Sequence, residues 1–295
     1  MAGGMGARYG GFKQIDPVGE YGELIIDYSV FDAVKAGFSK VVFVINENIE
    51  EPFRENFFNR ISKRVNAEYV VQRTPAWREK PFGTTHALLV AKDLLTEPFC
   101  IISADDFFGF DAFKICADFI KTKMTDGAGK STKGSPYAPS LGAAVGYRLG
   151  DTLSNHGVVN RGVIQVDKND TVTAVHELKC LKRDGKIGRL DSADFIAFPP
   201  DTLASMLMFC LPVSVLPKIE KKFDIFLANV LNNKTSESIL PSLLCELINE
   251  GDLELKCIRT TASWFGFTYP EDKPLVGAEI RALINKKLYP NPLWK

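Results

Sequence analysis

The sequence predicts an α/β protein with three layers (α/β/α), in which helices cover both faces of a mostly parallel mixed sheet. Two continuous apolar runs, residues 40–45 and 99–103, have the pattern of strands that are buried on both faces. Predicted helices and strands alternate over the first 120 residues, and this alternation favours parallel strands joined by helical crossovers. A length of 295 residues suits one large domain, so we expect a single domain over residues 1–295.

The elements of the first half follow from apolar periodicity and from capping residues. Asp27 is a suitable N-cap for a helix that continues to about residue 36. Further helices are expected near residues 50–64, 84–95 and 110–122, and strands at residues 40–45, 67–72 and 99–103.

After residue 122 the character of the sequence changes. Residues 122–140 are rich in Lys, Gly, Ser and Pro, and they predict a mobile surface loop. Short strands are expected over residues 141–198, helix over 220–251, a strand at 253–259 and a last helix at 274–287. The loop would divide the domain into a nucleotide-binding half, residues 1–120, and an acceptor-binding half, residues 141–295.

The start of the chain does not fit a complete sheet. In parallel sheets a glycine-rich turn leaves the carboxyl end of an apolar strand. Here the glycine-rich segment begins at Met1, with no strand before it. The sequence therefore predicts that the first central strand is missing, and we favour truncation as the explanation.

Composition and charge exclude several classes of protein. The 36 basic and 36 acidic residues cancel, so neither a nucleic acid nor an anionic membrane is expected as a partner. No segment has the length and apolar character of a membrane span, and the N-terminus does not resemble a secretory signal. The six cysteines form no C-x-x-C pair, and they are typical of reduced core cysteines in a cytoplasmic protein.

The glycine-rich start is the first motif that indicates chemistry. Gly3, Gly4 and Gly6 would let backbone N–H groups converge on phosphate oxygens without interference from Cβ atoms. The planar guanidinium group of Arg8 could bind two phosphate oxygens at once, and Lys13 adds a compact positive charge. A glycine-rich tail without function is the alternative interpretation.

A pair of carboxylates, Asp105 and Asp106, directly follows the buried strand at 99–103. Ligands of α/β folds bind at the carboxyl ends of the strands. Hard oxygen ligands at that position suit Mg²⁺ bridging to phosphates. A helix cap or a solvated turn is the alternative.

Gln72 and Gly83 form the third motif. Gln72 ends a predicted strand and offers a paired donor and acceptor for the edge of a base. Gly83 would let the backbone approach a planar base. His86, one turn into the next helix, is more typical of an ordinary helix-face histidine.

Together these motifs resemble the sugar-phosphate nucleotidyltransferases (NDP-sugar pyrophosphorylases), which have a GT-A-like fold. The resemblance runs in order from residue 1 to about 180 and is weaker beyond. It implies a Mg²⁺-dependent enzyme of the EC 2.7.7 type. Such an enzyme transfers a nucleotidyl group from a nucleoside triphosphate (NTP) to a phosphorylated small-molecule acceptor and releases pyrophosphate.

The resemblance also implies a role for each site residue. The catalytic residues would be Arg8, Lys13 and Asp105. The nucleotide would be bound by Ala2, Gly3, Gly4, Gly6, Gln72, Gly83, Thr84 and Asp106. The acceptor would be bound by Gly157, Asn160, Glu177 and Lys179, and the metal by Asp105 and Asp272.

The sequence departs from the family pattern at three places. The short spacing from Arg8 to Lys13 is closer to that of cytidylyltransferase relatives. Gly266 stands where the family has a second metal-binding aspartate, so Asp272 or Glu271 would have to replace it. Leu178 stands where a lysine is common, which leaves Lys179 as the candidate for the acceptor phosphate.

We therefore expect nucleotidyl transfer to a sugar 1-phosphate with UTP as the favoured donor. Two alternatives stay open: a cytidylyltransferase acting on a small phosphorylated alcohol or amine, and a non-catalytic nucleotide-sugar sensor. A homo-oligomer is compatible with the sequence, which does not determine the oligomeric state.

Overall fold

The computed structural model describes residues 1–2, 16–125, 139–154, 157–192, 194–230, 233–266 and 272–294. Its helices are α1 (Ile25–Ala36), α2 (Glu50–Phe53), α3 (Asn59–Ile61), α4 (Thr84–Leu89), α5 (Phe110–Phe119), α6 (Leu216–Asn229), α7 (Leu240–Asn249) and α8 (Asp272–Asn285). Its strands are β1 (Val41–Asn46), β2 (Ala67–Gln72), β3 (Phe99–Ile101), β4 (Asp106–Phe107), β5 (Ser140–Arg148), β6 (Val159–Val166), β7 (Val172–Arg183), β8 (Lys186–Asp191), β9 (Asp194–Ala197), β10 (Leu203–Leu211), β11 (Leu253–Arg259) and β12 (Phe265–Gly266).

The main sheet has eight strands and mixed pairing. Seven of them follow the order β11-β5-β10-β6-β7-β8-β9, and β3 pairs with β10 beside this path. Two further pairs, β1-β2 and β4-β12, complete the pairing of the described strands. The structure thus confirms a mixed α/β fold.

The proportion of parallel pairing differs from the prediction of a mostly parallel sheet. Only β1-β2 and β5-β11 pair in parallel, whereas the remaining named pairs are antiparallel. The reason lies in the connections, because β6 to β9 follow one another through short turns that only antiparallel neighbours can use. The alternation of helices and strands in the first half does not extend to the second.

Helices cover both faces of the sheet, as expected for three layers. Side chains of successive strand residues point to opposite faces. Phe209 and Leu211 of β10 therefore pack in one core with α4, α6 and α7, and Met208 and Cys210 of the same strand pack in a second core with α1 and α5.

Strand β10 shares one of its edges between two partners. Its first part, Leu203 to Ser205, pairs with β6, and its last part, Phe209 to Leu211, pairs with β3. On its other edge the register with β5 shifts between Ser205 and Phe209, and Leu207 there has a left-handed φ of 60°. Such a conformation is uncommon for a branched side chain and marks a local bulge.

Two helix boundaries differ from the sequence-based expectation. The first helix starts at Ile25, and Asp27 stabilises its start from within by accepting the Leu24 N–H at 2.8 Å. The segment 220–251 is not one helix, because α6 ends at Asn229 and α7 begins at Leu240.

None of the described helices has the length and apolar character that crossing a bilayer requires.

The first two residues lie between β1 and β3. The Ala2 N–H donates to the Val44 carbonyl at 2.6 Å, and the Ala104 N–H donates to the Met1 carbonyl at 3.0 Å. The Met1 ammonium donates to the Ile102 carbonyl at 2.7 Å. Met1 and Ala2 therefore bridge the gap between the two strands at its carboxyl end.

Behind Met1 this gap continues as a cavity of about 360 Å³. Val42 and Val44 of β1 line one side, and Phe99 and Ile101 of β3 line the other. Burial lowers the pKa of the Met1 ammonium to about 6, because a charge is held there away from water. The space between β1 and β3 is thus lined by apolar side chains that a further short strand could contact.

Filling this cavity with a strand should stabilise the protein. An extension of about four apolar, β-branched residues ahead of Met1 would lie between β1 and β3, and an amide would replace the buried ammonium. We expect the melting temperature, measured by circular dichroism, to rise by several degrees. A Gly/Ser extension of equal length is the control, and equal melting temperatures for the two proteins would contradict this interpretation of the cavity.

Candidate active site

A second cavity, of about 280 Å³, brings together residues from both halves of the chain. Its walls include Thr84 at the start of α4, Asp106 of β4, Asn160 of β6 and Glu177 of β7. All four are site residues predicted from the sequence. Residues up to 93 positions apart in the chain therefore meet at one place, as one binding site for two substrates requires.

Gln72 and Gly83 lie beside this cavity and contact each other. The Gln72 side-chain amide donates to the Gly83 carbonyl at 3.0 Å and lies 3.2 Å from Nδ1 of His86. Gly83 has a φ of 93°, and a Cβ atom there would lie 2.5 Å from the Ser238 carbonyl oxygen. Close packing alone therefore accounts for this glycine, and its contact with a base stays a prediction.

The segment after Gly83 is fixed to the start of α7. The Thr84 hydroxyl accepts the Leu240 N–H at 2.8 Å, and the Thr85 N–H donates to the Ser238 carbonyl at 3.1 Å. The loop before Gly83 is held in a similar way, because the buried Arg78 donates to the carbonyls of Asn233 and Ser236. This arrangement explains why residues 233–239 are not helical.

His86 is uncharged near neutral pH. Its pKa is lowered first by burial and then by the positive charge of Arg78. The imidazole ring stacks on Phe223 at 5.6 Å between centroids. These contacts support the interpretation of His86 as a packing residue that orients Gln72.

The two predicted carboxylates occupy different surroundings. Asp105 accepts a short hydrogen bond from the Ser103 hydroxyl. Asp106 pairs with Gly266 of β12, and a Cβ atom at Gly266 would overlap Oδ1 of Asp106. The glycine that replaces the expected aspartate thus leaves the space that the Asp106 carboxylate fills.

Neither Asp105 nor Asp272 is among the residues that line this cavity, so their expected pairing at a metal ion is not tested by it. Asp272 is the first residue of α8. Glu271 lies outside the described residues. Asp105 and Asp106 are adjacent at the carboxyl end of β3, and their oxygen donors suit Mg²⁺ chemically. A metal-binding role for any of these residues stays a prediction.

Three of the four predicted acceptor residues, Asn160, Glu177 and Lys179, share one face of the β6-β7 hairpin. Asn160 is opposite Lys179, and Gly162 is opposite Glu177. Glu177 and Lys179 are two positions apart, so both side chains are on the same side of the strand. Gly157 is exposed with a φ of 140°, and its left-handed backbone rather than crowding favours glycine there.

The predicted phosphate loop cannot be compared with the structure. Gly3, Gly4, Gly6, Arg8 and Lys13 all lie outside the described residues. Ala2, which precedes them, is buried next to Ile45 at the carboxyl end of β1. Met1 is hydrogen-bonded to Ala104, the residue directly before Asp105.

Arg161 is a cationic wall residue that sequence reasoning missed. Its guanidinium lies 4.9 Å above the Trp264 ring and donates to the carbonyls of Thr152 at 3.0 Å and Asn160 at 2.8 Å. Burial lowers the pKa of Arg161, and the charge of Asp106 opposes that shift. A positive charge next to Asn160 in a predicted acceptor strand was the signal available in the sequence.

Ser205 is a second missed residue. It lines the cavity, it is only 7% exposed, and its hydroxyl has no hydrogen-bond partner in the described part of the chain. A buried hydroxyl without a partner is costly, so a ligand that bonded to it would relieve that cost. The signal available in the sequence was the position of this one hydroxyl residue in the otherwise apolar strand β10.

Comparison with known proteins gives a consistent family and fold. Residues 1–140 match the family described as Nucleotidyl transferase. The inositol-1-phosphate CTP transferase from T. maritima is structurally similar, with a TM-score of 0.59, 14% identity and coverage of 95% of this chain and 94% of that chain. HddC from Yersinia pseudotuberculosis has a TM-score of 0.57, 12% identity and coverage of 95% and 96%. No curated protein sequence matches. The resemblance to nucleotidyltransferases and the predicted fold class are thereby confirmed.

Replacing Gly266 should test whether the position of Asp106 matters. In Gly266→Ala the new methyl group overlaps Oδ1 of Asp106, so the carboxylate must turn away. We expect the stabilisation by Mg²⁺ and NTP, measured as a shift in melting temperature, to fall markedly. Gly277→Ala in α8 is the control, because its Cβ meets only ordinary contacts beyond 3.4 Å. An undiminished shift in Gly266→Ala would contradict a nucleotide-binding role for Asp106.

Proposed function

We propose that the protein transfers a cytidylyl group from CTP to a small phosphorylated polyol or sugar and releases pyrophosphate, a proposal supported by the match of residues 1–140 to the nucleotidyl transferase family. The convergence of Thr84, Asp106, Asn160 and Glu177 on one cavity carries this proposal. Such a cavity can hold a nucleotide and an acceptor next to each other, and that proximity is the main requirement of the reaction.

Two observations favour CTP over UTP, the donor that we expected first. The spacing of Arg8 and Lys13 is closer to that of cytidylyltransferases. One structurally similar protein with the same overall extent is an inositol-1-phosphate CTP transferase. Neither observation identifies the donor, so UTP is the competing donor in the test.

The proposed reaction needs no general base. A phosphate monoester has a second pKa of about 6, so the attacking oxygen is already ionised at neutral pH. The protein's contribution is to align two polyanions and to balance their charge. Arg8 and Lys13 would contact the phosphates, and Arg161 would add a fixed positive charge at the acceptor side of the cavity.

Mg²⁺ would be held by Asp105 and Asp106. When bound, it would neutralise charge on the NTP phosphates as the pyrophosphate leaves. The hydrogen bond from Ser103 would orient the Asp105 carboxylate, and the space left by Gly266 would orient that of Asp106.

The acceptor would contact Glu177, Asn160 and Ser205. Glu177 would accept hydrogen bonds from acceptor hydroxyls, and the Ser205 hydroxyl would gain the partner that it lacks among the described residues. Lys179, opposite Asn160, would attract the acceptor phosphate.

The reaction can be tested by measuring pyrophosphate release with Mg²⁺. Five nucleotides (CTP, UTP, ATP, GTP and dTTP) would be combined with inositol 1-phosphate, several sugar 1-phosphates and phosphocholine. We expect turnover with CTP and one acceptor, and a loss of about 100-fold or more in Asp105→Ala and Lys13→Ala. Asp118→Ala and Lys114→Ala remove an exposed ion pair on α5 and serve as controls.

Turnover with UTP alone would overturn the choice of donor. NTP binding without turnover would favour the sensor interpretation.

Glu177→Gln should separate acceptor binding from nucleotide binding. Loss of a charged acceptor for hydroxyl hydrogen bonds is expected to raise the KM for the phosphorylated acceptor about tenfold or more. The affinity for NTP, measured by calorimetry, should stay unchanged. Glu254→Gln on β11 is the matched control. A weaker NTP affinity with an unchanged acceptor KM would remove Glu177 from the acceptor site.

A further inference from the structure

Three cysteines from three separate elements meet behind the candidate active site. Cys100 of β3 and Cys210 of β10 are directly opposite each other in the antiparallel register. Cys116 of α5 lies over the same face of the sheet. The three sulfur atoms all lie within 4.8 Å of one another.

The surroundings of this thiol cluster (Cys100, Cys116 and Cys210) resemble those of a binding site more than those of ordinary packing. Cys116 and Cys210 are fully buried, whereas Cys100 is partly exposed and lines the cavity behind Met1. Cys100 therefore connects the cluster with a cavity that is large enough for a small ion. The remaining cysteines, Cys180, Cys245 and Cys257, belong to no such group in the described chain.

The thiols also interact strongly with one another. Hydrogen bonds from Cys116 and Cys210 lower the pKa of Cys100, because they stabilise its thiolate. The same contacts raise the pKa of Cys116, the donor. The three sulfur atoms are therefore close enough to one another to ligate a single ion.

We propose that Cys100, Cys116 and Cys210 form a binding site for a soft, thiophilic metal ion of the class of Zn²⁺ or Cu⁺. Thiolate sulfur selects such ions over Mg²⁺ or Ca²⁺. Three sulfur atoms at about 2.3 Å from one ion in a trigonal plane lie roughly 4 Å apart, so the observed cluster needs only small side-chain movements. Each ligating thiol releases its proton to solvent, and the step involves no oxidation or reduction.

A metal ion at this position would connect the two halves of the fold. Cys100 and Cys116 belong to the half that carries the carboxylates, and Cys210 belongs to the strand that faces the acceptor side. Ser103, which lines the active-site cavity, is three positions after Cys100 in the chain. Binding of the ion would therefore stabilise the native state and the backbone that leads to Asp105.

The test uses the full chain, reduced with a phosphine, with Cd²⁺ as the probe. Thiolate ligation of Cd²⁺ produces an ultraviolet charge-transfer band whose intensity reports the number of Cd–S bonds. We expect one equivalent of Cd²⁺, an intensity that corresponds to three bonds, and a higher melting temperature. All three quantities are measured on the wild-type protein, and none of them depends on enzymatic activity.

Substitutions then assign the ligands. Cys100→Ala changes a residue at the cavity wall, and Cys116→Ala changes one in the core. Both variants should lose the three-bond band while far-ultraviolet circular dichroism confirms that they fold. Cys180→Ala removes an equally buried thiol outside the cluster and should leave the band unchanged. A missing band in the wild type, a band that persists in Cys100→Ala, or an equal loss in Cys180→Ala would each overturn the proposal.

Discussion

The shared edge of β10 is the constraint on which the remaining structure depends. One edge of this strand pairs with β6 along its first part and with β3 along its last part. The strand thus joins the half that carries Asp105 and Asp106 to the hairpin that carries Glu177. The bulge at the change of partner places Ser205, Met206 and Leu207 on the wall of the candidate active site.

The carboxylates at the site depend on backbone from distant parts of the chain. Asp105 directly follows Ala104, whose N–H is bonded to Met1. Asp106 occupies space that exists because residue 266 has no side chain. On the opposite wall Arg161 is held by backbone carbonyls and by Trp264. A site with acidic and basic walls suits a reaction in which a cation and two phosphate groups must be held together.

Much of the fold was predictable because the apolar patterns of the local sequence agree with the burial of those segments in the tertiary structure. The segments 40–45, 67–72 and 99–103 predicted β1, β2 and β3 to within one or two residues, and the first and third are apolar runs that have to be buried. The helical interpretation of 220–251 was wrong because the docking of Arg78 and Gly83 against residues 233–238 outweighs local propensity. The excess of antiparallel pairs was missed because pairing depends on the connections between strands.

By itself, the sequence determined the α/β class, the resemblance of its first 140 residues to nucleotidyl transferases and the order of the motifs, because these depend on apolar periodicity and on residue types at fixed spacings. Tertiary structure decided which residues meet. The thiol cluster has no local signature, since its three cysteines are far apart in the chain. Only the register of β10 with β3 places Cys210 opposite Cys100, and only the pairing of β4 with β12 shows why residue 266 is a glycine.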